Sequence, residues 1–353
     1  MNILFNVSTR RGIVSILPLM NELKDRGHNL YTLVTTHPSA GLKHPHKFMI
    51  GPDADMLELL DGITEYKVYS VFDDFRQMYH VLVDIADWNI DVHITKGDSG
   101  LPRDRLLCAG IRSQLPHISI YGVQADWHMH IKHPYYSSKF MVMGQRWMEY
   151  LTSMGVPYDN ISVVGCIKGD YLLTLPHISD DYITFFSQMT YSDEQKESIL
   201  VSLNNIATCM NKKLIVKLHP AWEQYNVDEW GWWTDRIKSN NAAHTELRYL
   251  DDPYELMQNS ALVITAFSNT GYEAMIMGIP VVILNISEEQ DFYRGCGVDI
   301  YSTDDLPDMV EYAMRDKSFS YTSLIEWEGR QYHTNDGRAS NRAANCIEGW
   351  YNG

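Results

Sequence analysis

Between the apolar runs Leu262–Thr265 and Val281–Leu284 the chain reads Ser268-Asn269-Thr270-Gly271, with Glu273 close behind. Ser, Asn and Thr cap helices, and a glycine lets a ligand come close to the main chain. A helix starting there offers unpaired N–H groups and the positive end of its dipole, which together suit a phosphate. Glu273, read as part of the first turn, is a candidate for ribose hydroxyls and equally a plain complement to the dipole. The bland reading of the whole stretch is a simple N-cap.

A second pair, His219-Pro220, follows the apolar run Lys213–Leu218. A protonated imidazole beside a phosphate is favoured electrostatically, although an isolated His after a strand is more often a loop residue. Arg10 stands in Ser8-Thr9-Arg10-Arg11-Gly12, after the first apolar run, where a guanidinium beside a helix start suits an anion. Asp98, in Lys96-Gly97-Asp98-Ser99, is a candidate general base or an ordinary turn aspartate. The stretch Gly122–Tyr136 adds Asp126 and His128 as further acid–base candidates. Its His128, His130 and His133 have no Cys or acidic partner pattern, so it reads as a loop that contacts an acceptor rather than a metal site. The aromatic cluster Trp222–Trp233 stacks on sugars or packs between domains, and packing is the preferred reading.

These residues follow strands, and the elements behind them alternate strand and helix along the chain, as in a parallel sheet covered on both faces. The alternation pauses at Tyr171–Asp181, read as a linker. The reading is therefore α/β, with two doubly wound Rossmann-like domains facing a cleft. The acceptor-side domain covers 1–172 and the donor-binding domain 173–353, with the last helix free to pack back on the first domain. Ligands of such sheets bind outside the carboxyl ends of the strands.

The bulk properties agree. A chain of 353 residues exceeds one usual core. Its net charge of −16 argues against a large non-specific nucleic-acid footprint. Five cysteines without a CxxC pair fit reduced thiols. The N-terminus has no signal-peptide core, and no apolar run reaches membrane-span length, so a cytoplasmic protein is expected.

The motifs resemble a known group. KLHP (Lys217–Pro220), SNTGYEA (Ser268–Ala274), GIPVVIL (Gly278–Leu284) and the tail NDGRASNRAANCI (Asn335–Ile347) resemble nucleotide-sugar glycosyltransferases of the GT-B fold. The nearest groups are CDP-glycerol glycerophosphotransferase-like and capsular polysaccharide transferases. The N-terminal half resembles UDP-N-acetylglucosamine 2-epimerase. STRRGIVSILPLMNEL (Ser8–Leu23) is similar to its opening helix, whose Arg meets the diphosphate. KGDSG (Lys96–Gly100) is similar to its turn with a catalytic Asp, and SVVGCIKGDYL (Ser162–Leu172) matches its segment before the linker. Epimerases carry a Glu after the strand His117–Tyr121, where this chain has Gln124.

The resemblance implies a glycosyltransferase, moving a sugar or polyol phosphate from a nucleotide-linked donor to an acceptor hydroxyl. The acceptor is a glycan, a lipid-linked glycan, a protein or a nucleic-acid base. His219, Ser268, Asn269, Thr270, Gly271 and Glu273 hold the donor, with Arg10 on its phosphates. Asp98, Asp126 or His128 supplies the base, and no metal or other cofactor is expected. The rivals are a nucleotide-sugar epimerase and a non-catalytic nucleotide-sugar-binding subunit.

Overall fold

The computed structural model describes residues 1–7, 10–35, 57–69, 75–96, 98, 102–124, 134–188, 191–219, 228–249, 251–266, 268–286, 297–315 and 335–353. In chain order the elements begin with β1 (Asn2–Val7), α1 (Arg10–Asp25), β2 (Asn29–Thr35), β3 (Glu65–Tyr69), α2 (Phe75–Asp87), β4 (Val92–Thr95) and α3 (Pro102–Gln114). They continue with β5 (Ser119–Val123), β6 (Lys139–Val142), α4 (Gln145–Ser153), β7 (Ile161–Val163) and α5 (Ile167–Leu172). Next come β8 (Tyr182–Phe186), α6 (Asp193–Cys209), β9 (Lys213–Lys217), α7 (Glu229–Ser239), β10 (Thr245–Arg248), α8 (Pro253–Gln258) and β11 (Ser260–Thr265). The chain closes with α9 (Asn269–Ile276), β12 (Val281–Leu284), β13 (Val298–Ile300), α10 (Leu306–Arg315) and α11 (Ala339–Asn352).

Two α/β units result, one from Met1–Tyr171 with Glu328–Gly353, the other from Leu172–Trp327. The first holds a sheet in the order β3-β2-β1-β4-β5-β6-β7 and the second a sheet in the order β10-β9-β8-β11-β12-β13. Every pairing in both is parallel. In each sheet the order reverses next to the first strand of the unit, between β1 and β4 and between β8 and β11. Those two reversals are the switch points where doubly wound sheets take ligands.

Central strands are buried on both faces, which is why they read as continuous apolar runs. In the first unit Ile3, Phe5, Val92 and Ile94 pack with α1 and α11, while Leu4 and Leu33 pack with α2 and α3. In the second, Trp233 is fully buried, and its indole N–H donates to Glu229 at 3.0 Å. Glu229 also holds Lys196 at 3.0 Å, with both side chains buried. The aromatic cluster thus contributes Trp233 to the core of the second unit, and α7 was not visible in the sequence pattern.

The last helix joins the first unit through charge. Asp170 accepts hydrogen bonds from the backbone N–H of Ala339 (3.1 Å) and Ser340 (2.7 Å), capping α11. Arg342 donates to the Val164 carbonyl at 2.7 Å and pairs with Asp336 at 2.8 Å. At the other end Glu348 receives Arg26 at 2.7 Å and His28 at 2.9 Å. The closing Asp-Gly-Arg-Ala-Ser segment is therefore a docking device for α11, which belongs to the first unit, whereas the expected domain 173–353 counted it with the second and left it free to pack back.

One residue of the first core is chemically out of place. His93 lies between Val92 and Ile94, so it faces away from α1, toward the α2 and α3 side, and it is completely buried. Neither ring nitrogen has a well-formed hydrogen bond. Burial pushes the imidazole down to about 4, only partly offset by the Leu4 backbone. The unfolded chain then binds more protons than the folded one between about pH 4 and 6.5, so stability is complete above that window and is lost on acidification through it. The loss should approach about 3 kcal/mol. Urea unfolding at stepped pH should show this slope in the native protein and a shallower one in His93→Leu.

Candidate functional site

The β8/β11 switch point is where the capping stretch falls. α9 begins at Asn269, with Ser268 as its N-cap. Ser268 Oγ accepts the Thr270 N–H at 3.3 Å, and the Ser268 carbonyl accepts the Gly271 N–H at 3.0 Å. Ser268 is thus a working cap. Thr270 differs. Its side chain is buried, and its hydroxyl has no hydrogen-bond partner. A hydroxyl in the first turn of a helix at a switch point is a donor of the kind that binds anions.

Charge singles out the same helix. In the second unit α6 opens with Asp193 and Glu194, α7 with Glu229, α8 with Glu255 and α10 with Asp308 in the first turn. Their positive dipole ends are compensated from within. α9 has no acidic residue in its first turn.

One expectation changes here, and one glycine gains a packing role. A Cβ added to Gly271 would meet Thr265 Cγ2 at 3.1 Å and Ile283 Cδ1 at 3.3 Å, so its role is to seat α9 tightly on β11 and β12. Glu273 lies beyond the first turn and is buried; it does not complement the dipole there. Asn269 is the first residue of α9 and is partly exposed. His219 is partly exposed and follows the carboxyl end of β9, the strand beside β8. Sequence order alone separates His219 from Ser268 by many residues, yet both stand at carboxyl ends of strands in one sheet.

At the β1/β4 switch point Arg10 is the first residue of α1, and Arg11 follows, with no acidic residue in that first turn. Asp98 follows β4 with a φ of 37°, a left-handed conformation uncommon outside glycine. It is fully buried. Its two carboxylate oxygens accept the N–H groups of Tyr136 and Ser137, each at 2.7 Å, and its own N–H donates to Thr95 Oγ1 at 3.2 Å. A carboxylate so engaged anchors the segment leading into β6. Gln124, just past β5, is also buried; its Oε1 accepts the Met143 N–H at 2.9 Å. Asp126 and His128 lie outside the described residues. Among the described residues no three His, Cys, Asp or Glu side chains gather as a metal-holding group, and no helix is long and apolar enough to cross a membrane.

One buried charged residue beside the site was not singled out by its type. Lys217, inside the apolar run of β9, is buried, and its ammonium donates to the carbonyls of Leu218 (3.1 Å) and Tyr249 (2.6 Å). A lysine ending an otherwise apolar strand is the signal by which sequence reasoning would find it.

No protein-family model and no curated protein sequence matches this chain. Solved structures do. UDP-GlcNAc 2-epimerase from Methanocaldococcus jannaschii aligns with a TM-score of 0.69 at 16% identity, over 99% of each chain. The Neisseria meningitidis UDP-GlcNAc 2-epimerase bound to UDP-GlcNAc gives 0.70 at 14% identity, over 99% of this chain and 100% of that one. The fold is that of the UDP-GlcNAc 2-epimerases. Anabaena HepE, solved with UDP and glucose, shares it with a TM-score of 0.62 at 12% identity, over 99% of this chain and 100% of that one. At these identities the likeness establishes the two-domain GT-B-type architecture. Chemistry has to be argued from this chain's own residues.

Ser268 and Thr270 should behave oppositely in the ligand-free protein. Ser268→Ala removes a cap and should lower unfolding free energy by about 1 kcal/mol. Thr270→Val removes a buried hydroxyl without a partner and should leave stability unchanged or raise it by up to about 1 kcal/mol. Equal losses in chemical denaturation would mean that both hydroxyls merely hold the helix. Asp98→Asn exchanges an acceptor oxygen for an amide donor facing a backbone N–H, and should cost about 1–3 kcal/mol; an unchanged denaturation midpoint would remove its anchoring role.

Proposed function

We propose that the chain is an enzyme acting on a nucleoside-diphosphate sugar, most simply a UDP-sugar, whose diphosphate sits on the start of α9. The observation that carries this reading is the Thr270 hydroxyl: buried, without a partner, and, among the described helices of the second unit, at the one that opens without an acidic residue. The solved neighbours bound to UDP-GlcNAc, or to UDP and glucose, support the ligand class. In this reading Thr270 and the α9 dipole take the phosphate charge, and His219 adds a second donor. Glu273 and Asn269 complete the donor end, and Arg10 with Arg11 supplies an anion-binding helix start in the first unit.

Epimerisation next to the anomeric carbon is the reaction favoured by the likeness to 2-epimerases. It needs one group to remove a proton from carbon and another to return a proton on the opposite face. Glycosyl transfer is the second reading, favoured by Gln124. An amide at that position cannot exchange protons, and its oxygen already holds the Met143 N–H. A transfer needs only a base for the acceptor hydroxyl and a stabilised leaving diphosphate. Asp98, with both oxygens on backbone N–H groups, supports a positioning role in either reaction, which leaves Asp126, His128 and His219 as proton carriers.

Incubation with UDP-GlcNAc in deuterated water, followed by proton NMR, separates the readings. Epimerisation gives a second sugar-nucleotide isomer with deuterium at carbon 2. Transfer or donor hydrolysis gives free UDP with carbon 2 undisturbed. Binding without either product marks a non-catalytic subunit. In calorimetry Thr270→Val should weaken UDP about tenfold, the value of one charge-assisted hydrogen bond, and leave uridine affinity unchanged. Equal effects on UDP and uridine would remove the phosphate from α9.

A further inference from the structure

Lys217 occupies a position that packing does not require. It is the last residue of β9, buried among apolar neighbours, and its stem replaces what an aliphatic side chain would fill at no electrostatic cost. Its ammonium spans two loops. One bond goes to the carbonyl of Leu218, the residue before His219, at 3.1 Å; the other goes to the carbonyl of Tyr249, just past β10, at 2.6 Å. Both carbonyls stand at the carboxyl edge of the second sheet, where the diphosphate is placed. The strands are already joined at that point by the Leu218 N–H to the Arg248 carbonyl, 2.9 Å. The lysine therefore fixes the orientation of the Leu218–His219 peptide rather than the pairing of the strands.

We infer that Lys217 is a positioning residue, whose buried ammonium holds the carbonyls of Leu218 and Tyr249 and thereby presents His219 to the phosphates of a bound nucleoside diphosphate. The inference rests on the nucleoside-diphosphate reading of this site. An amine that has lost its proton keeps a weaker pair of donors, so the clamp loosens when Lys217 deprotonates. Burial brings that event to about pH 8, against the opposing pull of Asp251 and Asp252. The charged groups facing the amine are those two carboxylates, between β10 and α8. Arg248, on β10, is paired with Asp251 at 3.1 Å.

The test is titration calorimetry of UDP into the full chain, stepped from about pH 7 to about pH 9. The native protein should lose about tenfold in affinity across this range, following the fraction of protonated Lys217. Lys217→Arg keeps its charge and should bind with a flat profile. Lys217→Met, shown by its melting curve to be folded, should bind weakly and equally at both ends. A flat profile in the native protein overturns the inference, as does a fall that persists in either variant, because another group, such as the uracil ring, then titrates. If Lys217→Arg fails to fold, Lys217→Met decides on the same criterion. Absence of UDP binding by the native protein at about pH 7 overturns the functional reading and this inference with it, whereas binding with a flat profile overturns only the role of Lys217.

Discussion

Every described strand pairing in both sheets is parallel, and the rest of the structure follows from this constraint. Parallel strands end on one edge, and each crossover helix starts there. The edge therefore collects the unpaired N–H groups of several helices and the residues that close each strand. In the second unit four of the five described helices carry their own acidic compensation in the first turn, and α9 does not. An uncompensated positive helix end costs stability, and an anion placed against it would offset that cost.

The sheet also explains what could be read beforehand. Strands buried on both faces stand out as apolar runs, and the bounds of β11 and β12 were recovered to within two residues. The strands that escaped are β3, β10 and β13, and all three lie at sheet edges. An edge strand has one neighbour, and its outer row invites charge. Glu65 and Lys67 in β3, Glu246 and Arg248 in β10 and Asp299 in β13 broke the pattern for that reason. α7 was hidden because its tryptophans read as a cluster that stacks on sugars or packs between domains, whereas Trp233 is core and Glu229 is buried against Lys196.

The site was legible by residue type and less so by role. Ser268 and Thr270 look alike in sequence, and the fold separates them into a cap and an unpartnered hydroxyl. At Gly271 the close approach that the structure shows is that of Thr265 and Ile283 of the sheet. Asp98 had the composition of a catalytic turn, and the structure commits both its oxygens to the main chain at Tyr136 and Ser137. Such assignments depend on long-range partners, and no local pattern carries them. The similarity of Lys96–Gly100 to an epimerase turn and the amide at Gln124 pull toward different reactions on one architecture, which is why the ligand class is better supported than the bond that changes.

The central claim is a location: the phosphates of a nucleoside diphosphate rest on the first turn of α9. A crystal structure of the chain with UDP tests it most directly. The account predicts a phosphate oxygen within hydrogen-bonding distance of Thr270 Oγ1, about 2.5–3.0 Å, at the β8/β11 switch point. A diphosphate bound at the start of another helix, with the Thr270 hydroxyl still unpaired, would contradict it.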